Sequence, residues 1–213
     1  EIVLRKTELK ALQAQINPHF LYNTLDSIIW MAEGRKYEEV VLMTASLARL
    51  LRQSISNEDE VVPLAREVEY AKGYLTIQKM RYKDKLEFEI DVEPSILNIP
   101  LIKLVLQPII ENAIYHGLKY KESKGLLQVK GFMKDGNAVL QVIDNGVGMD
   151  EETLSHIYDK HKVNYHSNGV GVYNVQKRLK LYYGENYGIT YESEKGVGTT
   201  ATITIPGIQE ESI

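Results

Sequence analysis

Val142-Ile143-Asp144-Asn145-Gly146-Val147-Gly148-Met149 is the stretch that decides the fold of this chain. An apolar run that reads as a strand ends in a carboxylate and passes into a Gly-x-Gly turn. A carboxylate at a strand end can accept the hydrogen bond of an exocyclic amine. Glycine lets a ligand approach the backbone closely. The same residues also suit an ordinary turn with a left-handed glycine, so the segments around them have to be read together.

Upstream, residues 128–132 and 138–143 read as strands flanking the hairpin turn Asp135-Gly136-Asn137. Before them lies a helix expected from Pro100 to about Leu118. Its Ile109, Ile110, Ala113 and Ile114 make an apolar face, while Asn112 and His116, at i and i+4, share another. An amide oxygen such as that of Asn112 suits a hard cation like Mg²⁺, which takes few protein ligands. Helix 64–82 and the strictly alternating strand 86–92 come earlier still. Downstream, a short helix is expected over 151–160 and a polar loop over 158–168, with Lys160, His161, Lys162 and His166. Asn168-Gly169-Val170-Gly171 then opens a helix to Tyr183, where backbone N–H groups attract phosphate. A dinucleotide-binding reading fails, because Asn174 stands where the third glycine would be and no strand immediately precedes. Strands 187–193 and 199–205 surround Gly196-Val197-Gly198. Helices mixed with antiparallel strands make this part α+β.

The N-terminal part is different. Residues 2–32 lack glycine and read as one helix, roughly 45 Å long at about 1.5 Å per residue. Leu9, Leu12 and Ile16 form one apolar stripe, and Leu21, Leu25, Ile28 and Ala32 another that is turned away from it. Pro18 lies at their junction, where a kink is expected. Gly34 stops the helix, and a second runs from Tyr37 to Ile55 with Val40, Met43, Leu47, Leu50 and Leu51 on its apolar side. The short connection implies an antiparallel helical hairpin. Two helices bury little alone, so pairing with a second copy into a four-helix bundle is expected. Gln15, His19, Asn23 and Asp26 form a polar stripe, leaving His19 exposed beside the kink. An exposed imidazole is a competent nucleophile near neutral pH. The polar break at 57–60 divides the chain into 1–58, the hairpin, and 59–213, the α+β part.

Lys plus Arg number 25 against 29 Asp plus Glu, a net charge of −4, which excludes a strongly basic nucleic-acid binder. The absence of cysteine excludes a disulfide scaffold, a thiolate zinc site and a cysteine nucleophile. No apolar run is long enough for a membrane span, and no signal peptide is visible. Glu1 already lies in a helix-like pattern, so the chain reads as a piece of a longer protein.

The order of these segments resembles the ATP-binding domain shared by gyrase, MutL and histidine kinases. Upstream, Asn17-Pro18-His19-Phe20-Leu21-Tyr22-Asn23 resembles the phosphoacceptor box of the LytS/YesM-type sensor histidine kinases. The resemblance implies a dimeric α-helical hairpin followed by an α+β sandwich of the GHKL ATPase type. It implies the catalytic core of a two-component sensor kinase that phosphorylates His19 from ATP and passes the phosphoryl group to an aspartate of a response regulator. By the same resemblance Asn112 is the Mg²⁺ ligand, Asp144 reads the adenine amine, and Gly146 and Gly148 line the adenine pocket, with Thr199 beside the base. Gly169 and Gly171 start the helix under the phosphates, the loop before them is the ATP lid, and His116 lies near the phosphates. Asn23, four residues after His19, stands at the offset where the commoner histidine kinases often carry Thr or Asn to orient a water for dephosphorylating the regulator; the residues equally suit a hydrogen bond near the Pro18 kink, where one carbonyl has lost its partner. The parent would be anchored to a bacterial membrane, with this part on the cytoplasmic side.

Two departures from the commoner histidine kinases stand out. Phe20 follows the phosphoacceptor in place of an acidic residue, leaving Glu111 and Asp26 both open as the base. The lid has no phenylalanine-rich box, and Ile157-Tyr158 is the nearest equivalent. Two other functions fit parts of the pattern: an ATPase switch that phosphorylates no side chain, and a non-catalytic scaffold. His19 argues against the first, and the intact Asn112, Asp144 and glycine pairs against the second.

Overall fold

A computed structural model of the chain describes residues 18–55, 60–157 and 169–207. The expected helix over 2–17, with Leu9, Leu12, Gln15 and Ile16, lies outside the described residues, as do most of the 57–60 break and the polar loop 158–168. Helices α1 (Pro18–Glu33) and α2 (Tyr37–Ile55) form the hairpin. Its turn is closed by Arg35 N–H to Ala32 O at 3.0 Å and Lys36 N–H to Met31 O at 2.9 Å. This double bond pattern needs a left-handed residue just past the helix. That residue is Arg35 (φ 57°), not the Gly34 expected to stop the helix.

The α+β part begins with β1 (Val61–Pro63), α3 (Leu64–Tyr82), β2 (Leu86–Val92) and β3 (Pro100–Ile102). Next come α4 (Leu106–Asn112), a π-helical turn (Ala113–Leu118), β4 (Gly125–Lys134) and β5 (Asn137–Asp144). The short α5 (Glu151–Ser155), α6 (Gly169–Tyr183), β6 (Gly188–Glu194) and β7 (Gly198–Pro206) complete it. The main sheet has the order β2-β4-β5-β7-β6. Three of its pairings are antiparallel, as expected of an α+β domain, and β2 and β4 run parallel. The helical connection between them is what returns the chain in the same direction.

The helix expected to start at Pro100 does not. Leu101 and Ile102 are buried and pair with β1, Val61 opposite Ile102 and Pro63 opposite Pro100. Leu104 then turns through φ 59°, and the helix begins only at Leu106. The residue before it, Val105, has no capping side chain. The missing acceptor comes from α3: the Glu67 carboxylate takes the N–H groups of Leu104, Val105 and Leu106 at 2.7, 2.9 and 3.1 Å. Burial raises the Glu67 carboxyl, and those three bonds together with Arg178 oppose the rise. Arg178, on α6 and itself buried, donates to the carbonyls of Lys103 and Leu104.

One buried cluster runs through the whole described chain. Met43, Leu47 and Leu50 of α2 join Tyr70, Tyr74 and Leu75 of α3 and the apolar faces of α4 and the sheet. On α1 the buried residues are Phe20, Thr24 and Met31; of the expected stripe, Leu21 and Ile28 pack partly against the core, while Leu25, 42 % exposed, and Ala32 face outward. The helix is apolar on two sides, and the side that packs is the one through Phe20, whose ring lies 4.7 Å from that of Tyr74. No helix among the described residues is long and apolar enough to cross a membrane.

Candidate active site

Strand period places the central carboxylate. Leu140, Val142 and Asp144 fall on the helix-covered face of β5, so the alternation that buries the two apolar residues also buries Asp144 at the strand end. The Gly146 N–H donates to Asp144 Oδ1 at 2.8 Å, and Thr199 stands opposite in the β5–β7 register. Burial pushes the Asp144 carboxyl up to about 6, against the opposing pull of the Gly146 and Thr199 N–H groups and of Lys121.

Asn112, His116, Asp144, Gly148 and Thr199 line one pocket, closed by Ile109, Val142 and Ala201. The i, i+4 spacing brought Asn112 and His116 to the same wall, as expected. Gly146 supports the pocket from behind: a Cβ there would overlap the Gly117 carbonyl group and stand 2.6 Å from Asp144 Oδ1. Gly148 adopts φ 64°, a conformation that disfavours any side chain. Desolvation, and then the charge of Lys119, holds the His116 imidazole below its ordinary range. Asn112 is half-buried and lines the pocket.

Other expected residues lie apart from this wall. Gly171 does not line the pocket; α6 crosses α4 there, and a Cβ on Gly171 would stand 3.3 Å from Pro108 Cβ. Gly169 begins α6. Glu111 is buried, and its Oε1 accepts a 2.7 Å bond from Gln107 Nε2. Asp26 is exposed on α1. His19 is exposed on the same helix, with the Asn23 amide nitrogen 3.0 Å from its Nδ1. The imidazole meets the ring of Tyr115 edge-on, with centroids 6.0 Å apart.

Several residues that build the site were not singled out in the sequence. Gly117 touches Asp144, and Met149 and Tyr191 line the pocket. Ser193 Oγ accepts the Met149 N–H at 2.8 Å, donates to Gly198 O at 3.0 Å and lies 2.8 Å from Thr199 Oγ1. Gly117 had a signal, since it ends the Asn112–His116 segment. Ser193 had none, because only the β6–β7 register sets it opposite Thr199.

Comparison with known proteins agrees with this arrangement. Residues 7–86 match the family model described as histidine kinase, and residues 98–209 match that of the histidine kinase-, DNA gyrase B-, and HSP90-like ATPases. The sensor histidine kinase YesM of Bacillus subtilis is 37% identical over 206 residues, 97% of this chain and 34% of that protein. The sensor protein LytS of Oceanobacillus iheyensis is 33% identical over 189 residues, 86% of this chain and 32% of that protein. The chain thus spans about a third of the length of these curated relatives. The histidine kinase domain of the Erythrobacter litoralis EL346 blue-light activated histidine kinase shares the fold, with a TM-score of 0.51 and 15% identity over 96% of this chain and 95% of that one.

Proposed function

The chain belongs to the histidine kinase-, DNA gyrase B-, and HSP90-like ATPase family, as a sensor histidine kinase of the YesM and LytS type, and we propose that it transfers the γ-phosphoryl group of ATP to its own His19. The observation that carries this reading is the convergence of Asn112, His116, Asp144, Gly148 and Thr199 on one pocket, with the His19 imidazole held against the same helical segment. In this reading the Asp144 carboxylate, held by the Gly146 N–H, accepts the adenine amine, Gly148 gives the base its close approach, and Thr199 borders it. Gly169 and Gly171 set the start of α6 beside the phosphates.

The donor set fits a magnesium nucleotide. Among the described residues there is no cluster of three acidic or histidine side chains that could hold a metal by itself. Asn112 offers one hard oxygen, which matches a cation whose other ligands are phosphate and water. Mg²⁺ supplies charge neutralisation on the phosphates when bound, and Asn112 is the residue that would hold it.

The step itself is a displacement. An unprotonated imidazole nitrogen of His19 attacks the γ-phosphorus, the bond to the β-phosphate oxygen breaks, and ADP leaves. The other ring nitrogen gives up its proton, to Glu111, Asp26 or water. Catalysis of this kind is mostly positioning and charge stabilisation. The phosphoryl group then passes to an aspartate of a response regulator. Asn23, whose amide touches the His19 ring, is proposed to orient the water that later hydrolyses the regulator's phosphoryl group. The exposed stripe Tyr22, Leu25 and Ile29 on α1 is proposed to pair with a second copy. The whole protein is proposed to be membrane-anchored, with this part on the cytoplasmic side.

Incubation with γ-labelled ATP, followed by acid, tests the reading. Acid-labile label in the parent chain and none in His19→Gln is expected. Label that survives acid, or equal label in the variant, would contradict it.

A further inference from the structure

From the contact between His19 and Tyr115 we infer that Tyr115 is the seat on which His19 docks against its own subunit's nucleotide-binding helix, so that phosphoryl transfer runs within one subunit. This rests on the reading of His19 as phosphoacceptor. Tyr115 lies less than a turn beyond Asn112 and directly before His116, both of which line the pocket. The tyrosine itself does not line it. The helical segment therefore carries the pocket on one flank and the imidazole on the next. The two rings meet at 61° with centroids 6.0 Å apart, an edge-on arrangement favoured by aromatic quadrupoles.

The placement of α1 is over-determined by the chain's own α+β part. Near its start Phe20 packs on Tyr74 at 4.7 Å, and near its end Lys83 lies 4.6 Å over the Trp30 ring. Leu50 of α2 packs tightly at Gly73 of α3, its Cδ2 3.4 Å from where a Cβ would stand. At about 100° per residue, His19 falls between two faces of α1. One is the face through Phe20, Thr24 and Met31, buried on its own subunit, and the other is the exposed apolar stripe. The Tyr115 contact draws the imidazole toward the first. A second copy covering the stripe leaves that contact in place.

The seat is the tyrosine ring and not its hydroxyl. The Tyr115 hydroxyl is buried and has no hydrogen-bond partner among the described residues. Tyr115 is a positioning residue, because its ring touches the nucleophile and does not enter the pocket.

Two variants of the full chain, carrying different tags, decide the matter. His19→Gln keeps a nucleotide site but has no acceptor, and Asn112→Asp keeps the acceptor but has an impaired site. Co-expression and successive purification on both tags isolate the mixed dimer. The inference expects the mixed dimer to take up almost no acid-labile label from γ-labelled ATP, under conditions in which the parent labels fully. Label approaching half of the parent's would show transfer between subunits and overturn the inference, leaving His19 as acceptor. Absence of acid-labile label in the parent would overturn the proposed function and the inference with it. A second arm tests the seat. Tyr115→Phe keeps the parent's rate, while Tyr115→Ala lowers the rate at saturating ATP about tenfold or more, as a misplaced nucleophile does. The KM for ATP stays within about threefold, because the pocket lining is untouched. An unchanged rate in Tyr115→Ala would overturn the seat.

Discussion

Gly117 and Asp144 are so close that a Cβ on the glycine would stand 2.7 Å from the carboxylate Oδ1 and 3.0 Å from its Cγ. The Gly117 carbonyl also accepts the Val147 N–H at 3.1 Å, tying the π-helical turn to the loop after β5. The orientation of the proposed adenine-reading carboxylate is thus fixed by a residue on a different element. Gly117→Ala is expected to fold but to displace Asp144, weakening ATP binding by about tenfold or more, the cost of a misdirected buried hydrogen bond. Calorimetric titration with ATP checks it. Parent-like affinity would mean that the carboxylate does not read the nucleotide.

Asp144 trades stability for binding. Its carboxyl is pushed up to about 6 by burial, so the folded chain holds this proton more tightly than the unfolded chain does. The group therefore favours folding below the ordinary carboxylate range, and that contribution is lost as pH rises through about 6. Asp144→Asn removes the cost of burying a charge. It should raise the stability of the nucleotide-free protein by about 1–3 kcal/mol at pH 7.5 and by much less at pH 4. The same variant should lose ATP affinity. Urea unfolding at the two pH values, beside ATP titration, measures both. Equal stability changes at both pH values would show that the carboxyl is not held up by burial.

ATP binding should also fade as pH drops through about 6, because a protonated Asp144 cannot accept the adenine amine as a carboxylate does. Binding near pH 6 should release a proton, read as a dependence of the calorimetric heat on the buffer's ionisation enthalpy. No such dependence would indicate that the carboxyl is already ionised there.

Much of this site was legible before the structure, for a physical reason. A strand alternates with period two, so Val142 and Asp144 must share a face, and a helix brings residues four apart together, so Asn112 and His116 must share another. Such local rules do not reach Glu67. Nothing near Leu106 announces its cap, because the acceptor comes from α3 across 37 to 39 positions. Strands of three residues, as at Val61–Pro63 and Pro100–Ile102, are too short to show alternation. On α1 the pattern contains two apolar faces, and periodicity alone does not say which one packs inward.

Glu67→Ala should be the most damaging single change away from the pocket. It leaves three N–H groups without their acceptor and removes one of the negative charges near the buried Arg178. A loss of about 3–5 kcal/mol is expected, as for breaking a buried charge pair. Urea unfolding measures it, and a loss below about 1 kcal/mol would place the start of the Asn112 helix under other control.

The exposed stripe on α1 predicts the oligomeric state. Tyr22, Leu25 and Ile29 are 67 %, 42 % and 57 % exposed, and an apolar face of this kind marks an interaction surface. The parent chain should be a dimer by light scattering, and Tyr22→Asp with Ile29→Asp a monomer with unchanged ATP affinity. A dimer that survives both charges would put the interface elsewhere.

His19 is proposed to receive the phosphoryl group. The most direct measurement is mass spectrometry of the chain after incubation with Mg-ATP, handled at alkaline pH to preserve a phosphohistidine. One added phosphoryl group is expected on the peptide that contains His19, lost after brief acid treatment, with no added mass in His19→Gln. A phosphoryl group on another residue, or an unmodified chain that still hydrolyses ATP, would contradict it.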